Sequence, residues 1–122
     1  MGEAYMDEIL KTLVDQVEGA TGAAVGGVDG LLIEQYGAGV DLGNAVAEHA
    51  NLLRNTRAAY TETLETGDLR EMMVVTEKMI GYTQPIGDEY FVLLLLEPLA
   101  NLGKARLRSQ VAAQGLREMI GA

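Results

Sequence analysis

The chain has no cysteine and no tryptophan, and only one phenylalanine, one histidine and two prolines in 122 residues. Without thiols there is no disulfide and no thiolate metal site, and nothing conflicts with a reducing compartment, so a cytoplasmic location is the expectation. A single imidazole with no cysteine or second histidine is poor metal chemistry. Basic residues are scarce as well, nine Lys/Arg against 18 Asp/Glu for a formal charge of −9. Such a chain is not drawn to nucleic-acid phosphate or to an anionic lipid surface, so neither nucleic-acid binding nor membrane insertion is expected. The longest apolar run, Tyr90 to Leu96, is far short of the roughly 18 residues that a bilayer span needs. The N-terminus has no basic-then-apolar signal pattern, and export is not expected.

With 48% hydrophobic and 22% charged residues the composition is that of a folded globular protein, and the length suits one domain over residues 1–122. The charge is unevenly spread. Residues 1–97 hold five Lys/Arg against 17 Asp/Glu, net −12, whereas residues 98–122 hold four against one, net +3. A basic C-terminal segment therefore has acidic surroundings to dock on.

The strongest periodic signal runs from Val40 to Thr66. Leu42, Val46, His49, Leu53, Thr56, Tyr60 and Leu64 recur at three- and four-residue steps, widened by Ala45, Leu52, Ala59 and Thr63, which predicts a long helix with one face on a core. Asp41 is placed to cap its start and Gly67 to end it. The opposite side carries Glu48, Asn51, Arg54, Asn55, Ala58 and Glu62, with Ala47 and Ala50 small enough to let a second helix approach.

Before this helix, Tyr5, Met6, Ile9, Leu10, Leu13, Val14 and Val17 make an apolar helical stripe that Gly19 ends, and Thr21-Gly22 is read as a turn. Ala23 to Val28 and Leu31 to Tyr36 read as strands joined by a two-residue Asp29-Gly30 turn. Gly26-Gly27 leaves little side chain there, so another element is expected to pack closely. After the long helix come Arg70 to Thr76, Met79 to Gln84 and Tyr90 to Leu96, the last apolar on both faces and hence expected in the middle of the sheet. Asn101 is placed to cap a final helix striped by Leu102, Ala105, Ser109, Ala112, Leu116 and Met119. The order α-β-β-α-β-β-β-α gives an α+β fold with a five-stranded antiparallel sheet. Arg70 to Thr76 should lie at an edge, where Met72-Met73-Val74-Val75 would invite aggregation unless paired with a second copy.

Several short motifs in this order resemble the Roadblock family, which includes Roadblock-type dynein light chains and bacterial MglB-like regulators of Ras-like GTPases. They are Val17-Glu18-Gly19, Ala23-Ala24-Val25 with Asp29-Gly30, Tyr82-Thr83-Gln84-Pro85-Ile86-Gly87, and Asn101-Leu102-Gly103-Lys104-Ala105-Arg106. The resemblance implies a profilin- and longin-like layout and a homodimer whose central helices lie side by side while its third strands join two sheets. It implies no enzymatic activity and no cofactor, and a Ras-like small GTPase as partner. Partner contacts are expected at Glu48, Asn51, Arg54, Asn55, Ala58 and Glu62, and dimer contacts at Ala47, Ala50, Met72, Met73, Val74 and Val75.

Other chemistry is weaker. Gly37-x-Gly39-x-x-x-Gly43 precedes a helix but follows an antiparallel hairpin, not the parallel crossover of a dinucleotide site. Gly103-Lys104 is followed by Ala105, which is no P-loop. His49 reads as a packed or interfacial histidine, and Glu62 and Glu65 as a solvated acidic face. Arg54 and Arg57 could in principle act on GTP in trans, but ion pairing with Glu62 or Glu65, or across a dimer, is the expected role. A structural adaptor that binds peptide, or a sensor holding a small molecule between helix and sheet, are the alternative functions.

Overall fold

A computed structural model describes residues 2–37 and 41–121, with side chains from Tyr5 onward. Ala38, Gly39 and Val40, parts of the glycine turn and of the expected helix start, lie outside the described residues. The elements are α1 (Gly2–Gln16), β1 (Ala20–Gly27), β2 (Leu32–Gly37), α2 (Leu42–Arg57), β3 (Met72–Val75), β4 (Ile80–Ile86), β5 (Tyr90–Leu96) and α3 (Leu102–Ile120). This is the expected order. All strand pairs are antiparallel and the sheet runs β2-β1-β5-β4-β3, with β5 central and β3 at an edge.

Both sheet faces are covered, by alternate residues of the same strands. Val92, Leu94 and Leu96 of β5 join Ala23, Val25, Ile80 and Tyr82 beneath α1 and α3. Phe91, Leu93 and Leu95 face the other way and join Ala24 beneath Leu42, Val46, Ala50 and Leu53 of α2. A strand apolar on both faces has to be central, because only there do both of its faces meet helices.

Caps mark the starts of α2 and α3 and the end of α1 as the sequence suggests, whereas Gly67, expected to end the long helix, lies beyond its end at Arg57. Asp41 Oδ1 accepts from the Asn44 backbone N–H at 3.1 Å, and Asn101 Oδ1 from that of Lys104 at 3.0 Å. Gly19, with φ +90°, ends α1, and a Cβ on it would sit 2.7 Å from Ala100 Cβ. Close approach explains the other glycine signal too. A Cβ on Gly26 would lie 2.6 Å from Val46 Cγ1 and 2.8 Å from Phe91 Cζ, so α2 rests on bare backbone there.

Four local expectations are corrected. Thr21-Gly22 is not a turn, since β1 starts at Ala20 and pairs with Leu96 through an irregularity between Ala20 and Gly22. The first hairpin loop is Val28-Asp29-Gly30. Gly27 N–H donates to Leu31 C=O at 2.9 Å and only Gly30 of the loop has positive φ, +94°, the three-residue pattern with a left-handed last residue, not a two-residue turn. β4 extends through Pro85, which pairs with Phe91 of β5. Pro85 is tolerated because the register of β3 on β4 ends at Met72 with Thr83, so no ladder bond is lost on that side.

The fourth correction concerns the long helix. α2 ends at Arg57 and the chain continues as a π-helical segment, Ala58–Thr63, closed by Leu64 N–H donating to Ala59 C=O at 3.0 Å. Glu65 then has φ +54°, the one described non-glycine residue with positive φ. Arg54 and Arg57 reach the turns at the ends of β1 and β4, so the helix has reached the end of the strands there. Sixteen helical residues span about 24 Å, close to the length of a seven-residue strand. Beyond that point there is no sheet to cover. Tyr60 and Leu64, expected in the core, are therefore 46% and 57% exposed.

Candidate docking surfaces

The residues expected to contact a partner, Glu48, Asn51, Arg54 and Asn55 of α2 with Ala58 and Glu62 of the π-helical segment, are all exposed. They occupy the outer rows of the helix because Leu42, Val46, Ala50 and Leu53 turn inward. The two arginines are tethered. Arg54 Nη1 donates to Val28 C=O and Nη2 to Asn51 Oδ1 at 3.4 Å. Arg57 Nη2 donates to Gly87 C=O at 2.9 Å and Nη1 to Asp88 C=O at 3.3 Å, with its Nε 3.5 Å from Asp68 Oδ1. Glu62 and Glu65, the expected ion-pair partners, are not involved. Carbonyls at the two turns hold the guanidinium groups instead, an arrangement with no sequence signature.

The residues expected at a dimer contact separate into two groups. Ala50 is fully buried under the sheet and has no surface to offer a second chain. Ala47 is exposed, but its Cα lies 3.9 Å from the position of a Cβ on Gly30, so it sits on the β1–β2 flank of α2. The β3 edge is on the other side. The flank facing β3 is identified by His49, whose Nε2 would be 2.4 Å from a Cβ on Gly81 of β4. On that flank Leu52 is 40% exposed, although it was expected to widen the core stripe. Ala47 and the edge strand therefore lie on opposite sides of α2, and Leu52 lies on the same side of the helix as His49.

The edge strand is half open. Met73 is 43% and Val75 62% exposed, and Met72 and Val74 are half-buried. β3 pairs only with β4, leaving its outer ladder without a partner among the described residues. Just before it, Glu71 is fixed by α3. Arg106 Nε donates to Glu71 Oε1 at 3.0 Å and Nη2 to Oε2 at 2.6 Å, while the Tyr82 hydroxyl donates to Oε1 at 2.5 Å. Partial burial works against the Glu71 carboxylate, but the hydrogen bonds from Tyr82 and Arg106 and the Arg106 charge outweigh it and lower its pKa. Burial and the adjoining Glu71 carboxylate push the Tyr82 hydroxyl well above its ordinary value. The basic tail foretold an acidic partner for α3, and this pair is where it falls.

Little else is arranged for chemistry. His49 is buried, with Nδ1 2.7 Å from Ala45 C=O. Among the described residues no three His, Cys, Asp or Glu side chains cluster to hold a metal. No described helix is long and apolar enough to cross a membrane. The space between α2 and the sheet, where a sensed ligand was considered, is filled by Val46, Leu53 and Phe91. A larger groove of about 860 Å³ lies outside, between residues 66–71 and α3, and is lined by polar side chains including Gln84, Gln110 and Arg117.

These features define an α+β domain whose open surfaces are a strand edge and helix faces. The chain belongs to the Roadblock/LC7 family, whose model matches residues 6–97. No curated protein sequence matches it. Among solved structures it is 35% identical to MglC from Myxococcus xanthus, over 97% of this chain and 98% of that one, with a TM-score of 0.66. The gliding protein MglB from Thermus thermophilus is 20% identical over 97% of this chain and 90% of that one, with a TM-score of 0.87. A Roadblock/LC7 domain from Streptomyces avermitilis is 20% identical over 95% and 98%, also with a TM-score of 0.87.

Proposed function

We propose that the protein is a non-catalytic, homodimeric regulator or scaffold of a Ras-like small GTPase. The observation that carries the reading is an open apolar β3 edge within a Roadblock/LC7 domain. Two copies joined through their β3 edges extend the sheet and bring the Leu52 flanks together, removing an exposed strand that is otherwise an aggregation hazard. The outer rows of the paired α2 helices, with Glu48, Asn51, Arg54 and Asn55, then form one platform that Ala58 and Glu62 of the π-helical segments continue. A GTPase docked there is regulated only to the extent that it binds better in one switch state than in the other.

Affinity capture on the tagged protein, run in parallel with GDP and with a non-hydrolysable GTP analogue, tests this. Retention of a small GTPase with the analogue alone is the expected result. Retention of the same partners in both nucleotide states moves the reading to a structural adaptor.

A further inference from the structure

The α1–α3 side carries an apolar surface that neither the core nor the β3 edge uses. Leu107 and Val111 of α3 are 55% and 59% exposed. With Lys104, Gln114 and Glu118, all exposed, they recur at steps of three, four, three and four, the spacing of a helix–helix seam. Beside this seam a groove of about 360 Å³ runs between α1 and α3 over Gly115, walled by Tyr5, Ile9 and Met119. Gly115 is what opens it, since a Cβ there would already lie 3.1 Å from Ile9 Cδ1. Arg108 also lines the groove, and its Nε is buried with no hydrogen-bond partner among the described residues.

The charges on the seam have a direction. Lys104 stands in the first turn of α3 and Glu118 in the last, the reverse of what the helix dipole favours within one helix. An antiparallel neighbour turns that cost into a gain. The charged ends of the seam, and the Leu107 knob and Gly115 hollow beside it, are placed symmetrically about Val111. Lys104 and Glu118 are equidistant from it along the sequence, and so are Leu107 and Gly115.

We propose that this face binds a second copy of the chain, α3 against antiparallel α3, with Val111 on the two-fold axis. Lys104 of each copy then meets Glu118 of the other. Leu107 of each enters the hollow over Gly115 of the other, and Arg108 is carried toward Glu8, the carboxylate in the opposite groove. The patch is self-complementary in shape and in charge, as a two-fold interface requires. It uses other residues than the β3 edge, so a chain using both assembles beyond a dimer.

Sedimentation velocity of the full chain over a concentration series tests the proposal, with Met73→Asp as the background that removes edge pairing. In that background the chain is expected to dimerise through α3. Val111→Glu should abolish this association, placing two carboxylates at the axis. Lys104→Glu and Glu118→Lys should each weaken association about tenfold, since each reversal acts twice in a symmetric pair. The double variant should restore it to within about threefold, on the scale of exposed ion pairs. All these substitutions are at exposed positions, and circular dichroism checks that the variants fold. A Met73→Asp chain that stays monomeric at every concentration overturns the proposal. So does association insensitive to Val111→Glu, or a double charge swap that fails to recover.

Discussion

Gly26 and Gly81 decide how closely α2 lies on the sheet. At Gly26 the neighbours are Val46 and Phe91, both fully buried, so an added methyl has nowhere to go. Gly26→Ala is expected to destabilise the fold by about 2 kcal/mol through overpacking, read as a lower urea midpoint with an unchanged slope. Gly81 faces His49, whose ring is anchored at Ala45 C=O. Gly81→Ala should therefore cost about 1–2 kcal/mol alone and much less in a His49→Ala background, a coupling that a double-mutant cycle measures. Paired glycines in a strand announce close packing in the sequence, and a lone histidine on an apolar stripe announces burial. That the histidine comes to rest on Gly81 of β4 depends on strand order, which residue spacing does not carry.

At the scale of elements, the Glu71–Tyr82–Arg106 cluster ties β3, β4 and α3 together. The Glu71 pKa is lowered in the folded chain, so its contribution is fully present above the ordinary glutamate value of 4.5 and is lost as the pH falls through the lowered one. Glu71→Gln is expected to cost about 1 kcal/mol at pH 7, discounted for its partial exposure. The difference from the parent chain should shrink as the pH falls below 4.5 and through the lowered pKa, as thermal melts across the acid range would record. Element existence and order were legible because caps, stripes and turns agree with one another. The end of α2 was not, because Tyr60 and Leu64 stay in phase with the core stripe, and only the finite length of the strands leaves them outside. The π-helical segment likewise has no marker in the residues Ala58 to Thr63.

For the whole molecule, the exposed surfaces decide which other chains it meets. Met73→Asp puts a charge on the β3 edge and is expected to lower the mass measured by light scattering by one interface, without unfolding, since Met73 is already 43% exposed. Leu52→Glu, on the flank beside that edge, should weaken the same association. Ala47→Glu, beside the β1–β2 turn, should leave it unchanged. That contrast separates the two flanks of α2, which the helical periodicity alone had merged. The apolar run of β3 marked an edge needing a partner. The helix flank that accompanies it required knowing that His49 lies over β4.

The central place of β5 also governs the order in which the molecule can be completed. β1 pairs with β5 from Ala20 with Leu96 to Gly27 with Tyr90, and β4 takes its other side. Until β5 exists, the β1–β2 and β3–β4 hairpins share no strand, and an isolated hairpin is marginally stable at best. On a ribosome working at about 5–20 residues per second, the stretch between Gly37 and Leu96 takes on the order of 3 to 12 s to make. Throughout that interval the edge of β1 that β5 will cover stands open. Slow, late closure around one strand is thus built into the topology, and a crowded nascent chain is most vulnerable to wrong pairing just before Tyr90 to Leu96 emerges.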